Sequence, residues 1–64
     1  MLPLTNRELG VLRLIATGMS AKEVARELGI APRTIERHLD HIRLKTRTRN
    51  RSHLLVYAMS EGLI

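Results

Sequence analysis

Apolar residues recur along this chain at steps of three and four, with no alternating strand pattern, so the sequence reads as a series of helices. Leu9, Leu12, Ile15 and Ala16 fall on one side of a first helix predicted over about residues 6–17. Thr5 and Glu8 have the spacing of a capping box, Leu4 and Leu9 that of a hydrophobic staple, and Gly18 supplies a left-handed stop. Ser20 and Glu23 repeat the box for a second helix over 20–28, with Val24, Ala25 and Leu28 as its apolar stripe and Gly29 as its end. Pro32 suits the first position of a third helix, over 32–46, although Ala31 before it offers no side-chain acceptor at the N-cap. Ile35, Leu39 and Ile42 gather on one side of that helix. Asn50 can cap a fourth, over 51–60 and ending before Gly62, with an apolar face of Leu54, Leu55, Ala58 and Met59. The expected fold is all-α, four helices in a single domain of residues 1–64.

Sixty-four residues bound what such a fold can do. A chain of this size buries only about 60% of the surface it exposes when unfolded, and its core is worth roughly 3–5 kcal/mol. Cysteine is absent, which excludes disulfides, thiolate zinc sites and cysteine nucleophiles. The single aromatic residue, Tyr57, argues against the stacking platforms of single-strand nucleic-acid binders. The longest apolar run, Leu54 to Met59, is far too short to span a membrane, and no signal peptide is legible; a cytoplasmic domain is expected.

Charge sharpens the picture. The net charge is +5, and the excess sits in the second half: four basic against three acidic side chains in residues 1–32, seven against three in residues 33–64. Arg43, Lys45, Arg47, Arg49 and Arg51 form a cationic run without an anion. Such a field draws polyanions, chiefly nucleic acid, although a solvated basic surface is the plainer reading.

A short helix, a glycine turn and a Pro-started helix have the spacing of a helix-turn-helix. Ala25 is small where the helices should approach, and Val24, Leu28, Ile30 and Ile35 would fill the wedge between them. An ordinary αα-hairpin with a glycine stop is the competing reading. On a helical wheel, Arg33, Arg37, Asp40 and Leu44 lie opposite Ile35, Leu39 and Ile42, flanked by Glu36 and His41. The early residues of the second helix of such a motif touch base edges, so Arg33, Glu36, Arg37 and Asp40 are the candidate base readers. Their charges cancel. Attraction must then come from phosphate contacts by the run 43–51, chiefly Arg43, Lys45, Arg47 and Arg49, joined by Lys22.

Here the chain closely resembles the LuxR-type (FixJ-type) helix-turn-helix domain of bacterial transcription regulators. The matching pieces are Leu4-Thr5-x-Arg7-Glu8, Leu12-x-Leu14-Ile15-Ala16-x-Gly18, and Ser20-x-Lys22-Glu23-Val24-Ala25-x-x-Leu28. Ile30, Thr34-Ile35-x-x-His38, Ile42-x-x-Lys45 and Gly62-Leu63-Ile64 continue them. The resemblance implies a four-helix DNA-binding domain, usually at the C-terminus of a longer regulator such as a response regulator, which dimerises partly through its last helix. It also implies base contacts at Glu36, Arg37 and Asp40 and phosphate contacts at Thr34, Lys45 and Arg49. The chain departs from that pattern in four places. Glu36 stands where Lys or Arg is usual, Asp40 where a polar or basic residue is common, Thr46 where a core Leu is usual, and Arg43-Leu44 reverses the usual Leu-Arg. The two carboxylates can accept from cytosine amino groups or repel phosphates. Helix-surface pairing, Glu36 with Arg33 and Asp40 with Arg37 or Arg43, is the alternative.

Other chemistry is thin. His38 and His41 have a metal-pair spacing, but the wheel sets His38 beside the core and His41 outward, and no Cys completes a shell. Ser20 is accounted for as an N-cap. Met1, Met19 and Met59 suit gaps and ends. No catalytic group, metal or other cofactor is expected. On helix four, Val56 lies off the core face with Ser52 and Ser60 one turn away and Tyr57 further round; these four are the expected homodimer surface. The alternative function is a helical protein-interaction module that has lost specific DNA binding.

Overall fold

Four helices follow one another along residues 3–64, the residues this computed structural model describes: α1 Asn6–Ala16, α2 Ala21–Leu28, α3 Pro32–Thr46 and α4 Arg51–Ser60. The expected role of Met1 lies outside those residues. Their starts follow from the caps. The Thr5 hydroxyl accepts from the Glu8 N–H at 3.0 Å while the Glu8 carboxylate accepts from the Thr5 N–H at 2.9 Å. Ser20 and Glu23 repeat this at 3.2 and 2.9 Å, so Ser20 is the cap of α2 rather than its first residue. Asn50 accepts from the His53 N–H at 2.8 Å, and Ala31 makes no side-chain cap bond at all.

Three of the ends share one device. Gly29, Arg47 and Gly62 take the left-handed conformation, at φ 70°, 57° and 70°. After each, the next N–H reaches back to a carbonyl of the last helical turn: Ile30 to Ala25, Thr48 to Arg43 and Leu63 to Ala58. Arg47 is the exception to the glycine rule, and no turn residue in the sequence announces it. The first helix ends at Ala16, one residue short of expectation, with Gly18 at φ 98° just beyond.

The core is one cluster. Val11, Leu12 and Ile15 of α1 meet Val24 and Ala25 of α2, Ile35, Leu39 and Ile42 of α3, and Leu54 and Ala58 of α4. Each buried Val, Leu or Ile is worth about 1.5–3 kcal/mol of removal from water. The inward stripe of α1 is Glu8, Val11, Leu12 and Ile15, a step away from the one read from Leu9 and Ala16, which are only half-buried. The carboxylate at its head made that stripe look polar. On α4, Leu54 and Ala58 carry the burial and Leu55 lies at the edge; Met59, expected in the core, is 67% exposed. Thr46 is buried, its hydroxyl donating to the Ile42 carbonyl at 2.8 Å. The domain measures 28 × 20 × 20 Å, with α3 packed against each of the other three helices.

Candidate nucleic-acid interface

Ala25 and Gly29 set α3 at its angle. Ala25 is buried on the inner side of α2, Gly29 reverses the chain, and half-buried Leu28 and Ile30 fill the wedge with fully buried Val24 and Ile35. Pro32 then begins α3 at once. With Ile35, Leu39 and Ile42 inside, helical geometry turns Arg33, Glu36, Arg37 and Asp40 outward, and all four are exposed. Leu44 continues the same face and is 76% exposed, which leaves an apolar side chain in water.

The two carboxylates on this face are engaged. Asp40 is bonded by Arg43 one turn on, one of the two partners expected for it. Glu36 is not paired with Arg33: its Oε1 lies 3.7 Å from Nη2 of Arg51, at the first position of α4. Arg43 and Arg51 thus stand on the rim of a cleft between α3 and α4 whose floor is Leu39 and Leu54.

The cationic run divides by environment. Arg47 and Arg49 are exposed, as is Lys22 on α2, while Thr34 is half-buried in the first turn of α3. The Arg49 N–H donates to His53 Nδ1 at 3.1 Å, which fixes the loop into α4. Lys45 turns inward. Its ammonium donates to Glu8 at 2.6 Å and to the Pro3 carbonyl at 3.3 Å, with the Glu8 side chain only 5% exposed. Burial pushes the Glu8 carboxyl up, but the Lys45 ammonium and the Thr5 N–H together outweigh it and hold the group below its ordinary value. One N–H of Lys45 is left over for any further acceptor. This ion pair was not legible in the sequence, because its partners are 37 residues apart.

His38 is half-buried and His41 exposed, and among the described residues no three His, Cys, Asp or Glu side chains stand close enough to share a metal ion. Among the described residues no helix is long and apolar enough to cross a membrane. On α4, Ser52, Val56 and Ser60 are exposed and Tyr57 is half-buried; the Ser60 hydroxyl folds back onto the Val56 carbonyl at 3.0 Å. Exposed Met59 widens that face.

The family described as bacterial regulatory proteins, luxR family, matches residues 2–58 of this chain. The chain is 40% identical over 60 residues to a probable transcriptional regulator, ycf29, of Cyanophora paradoxa, covering 94% of this chain and 29% of that protein. It is 38% identical over 61 residues to the oxygen regulatory protein NreC of Staphylococcus carnosus, covering 95% and 28%. Among solved structures, the response regulator ChrA of a heme-sensing two-component system superposes with a TM-score of 0.92 at 31% identity, over all of this chain and 32% of that one. The phage VqmA–DPO complex gives 0.90 at 43% identity, over 98% and 29%. The chain thus spans under a third of the length of these relatives.

Proposed function

The chain belongs to the LuxR family of bacterial regulatory proteins and is a DNA-binding domain of the transcription-regulator type, and from that premise we propose that α3 lies in the major groove of duplex DNA. One observation carries the reading. Arg33, Glu36, Arg37 and Asp40 are all exposed within the first turns of α3 while the opposite side of that helix is wholly buried. A major groove about 12 Å wide admits one helix so presented. Arg37, at the centre of the exposed face, is the principal base contact, with guanine the base its fork suits best. Arg47, Arg49 and Lys22 hold phosphates with free cations. Arg43 and Lys45 join them with the donors that Asp40 and Glu8 leave over, and Thr34 adds its hydroxyl.

Two copies bind together through Ser52, Val56, Tyr57 and Ser60 of α4, each presenting α3 to one half-site. A regulatory domain attached to this one supplies the signal, as the greater length of the relatives supports. The site of action is the cytoplasm, at the bacterial nucleoid. The test is a titration into duplex DNA at several salt concentrations. The logarithm of affinity should fall linearly with the logarithm of salt, because displaced counterions drive the binding. Affinity that ignores salt overturns the proposal.

A further inference from the structure

Glu36 stands on the outer face of α3, yet its cation comes from another helix. Arg51 is the first residue of α4, and its Nη2 lies 3.7 Å from Glu36 Oε1 across the cleft floored by Leu39 and Leu54. We propose that Arg51 is a positioning residue: it holds the Glu36 carboxylate at the angle from which it accepts a hydrogen bond from a cytosine amino group, so that α4 helps set the DNA sequence preference. This rests on the reading of α3 as the groove helix.

Three features give Arg51 that task. Its backbone is fixed, since Asn50 caps α4 through the His53 N–H at 2.8 Å and Leu54, buried completely, docks the helix beside the cleft. Its guanidinium is a planar fork that stays charged, so it can hold one carboxylate oxygen and leave the other as an acceptor. Glu36, at 57% side-chain exposure, has no local partner of its own; Asp40 by contrast is tied by Arg43 on the same helix. Beside DNA, an untethered carboxylate is driven away by phosphates. A tethered one stays, and cytosine N4 is the base-edge donor it suits.

The experiment is selection of bound duplexes from a random pool by wild type, Arg51→Ala, Glu36→Ala and the double variant, with affinities measured on the winning site and its single-base changes. Wild type should prefer cytosine at one position of the half-site. Arg51→Ala should weaken that preference about two- to fivefold, the range of an exposed ion pair, and leave other positions unchanged. In the Glu36→Ala background, Arg51→Ala should change that position no further. Uniform weakening on every duplex would make Arg51 a phosphate contact and overturn the inference. So would a Glu36→Ala variant that keeps the wild-type preference. Wild type that binds no duplex at any salt would instead sink the underlying reading of α3, and the salt titration tells the two failures apart.

Discussion

Arg37 and Arg49 carry the same charge on different supports, and their substitutions should separate accordingly. Arg37 projects from the middle of the exposed face of α3, whereas Arg49 lies in the loop before α4. Arg37→Ala should cost about 1–3 kcal/mol on the preferred site and relax its sequence preference. Arg49→Ala should weaken all duplexes alike and flatten the salt slope by about one unit; competition titrations on matched and scrambled duplexes distinguish the two. Glu8 makes a prediction about pH. Its carboxyl is held below the ordinary value in the fold, so its ionised form stabilises the domain at neutral pH. That contribution is present above the unfolded carboxylate pKa, near 4.5, and is lost as pH falls through the lower folded value. Melting temperature should therefore drop with acid below about pH 4.5, and Glu8→Gln should flatten that dependence while lowering the neutral-pH value. A Glu8→Gln domain with the wild-type acid profile would show that other carboxylates carry it. The capping half of the role of Glu8 is readable three residues from Thr5. The half that answers Lys45 is not, since local spacing says nothing about a partner brought in by tertiary packing.

At the scale of the helices, starts were more legible than stops. Thr5, Ser20 and Asn50 announce themselves because a cap acts through its own side chain on a neighbour three residues away. Arg47 does not, because a left-handed residue at a helix end is recognisable only when it is glycine or asparagine. Two opposite substitutions test this. Arg47→Gly relieves a Cβ held at φ 57° and should stabilise the domain by about 1 kcal/mol. Gly10→Ala, in the middle of α1 where an added Cβ meets nothing within 4 Å, should add about 0.5–1 kcal/mol for the converse reason. Each is a rise of about 4–8 °C per kcal/mol for a chain of this size, measured by thermal melting. Only Arg47→Gly should also weaken DNA binding, because only it removes an exposed cation, one we propose to meet phosphate. The stripe of α3 was fully legible, three apolar residues against a charged face. The stripe of α4 was blurred by Met59, a flexible apolar residue equally at home on the rim, and only packing against α3 shows which side Leu54 and Ala58 choose.

For the whole molecule, a small core makes shared surface valuable. Among the described residues ten apolar side chains are buried, while Val56 and Met59 are 61% and 67% exposed on one outward face of α4 with Ser52 and Ser60 beside them. A second copy covering that face would remove both from water, and the small serines would let its helix come close. Measured on a palindromic duplex, the complex should have the mass of two domains per site, and Val56→Asp should bind as one without unfolding. A saturated wild-type complex of one domain per palindrome removes the dimer. Lys45 has a consequence at this scale too. Its ammonium ties the carbonyl of Pro3, the first turn of α1 and the last turn of α3 at a single point. Removing that ammonium, as in Lys45→Met, would therefore release three segments at once: the residues before α1, the start of α1 and the end of α3.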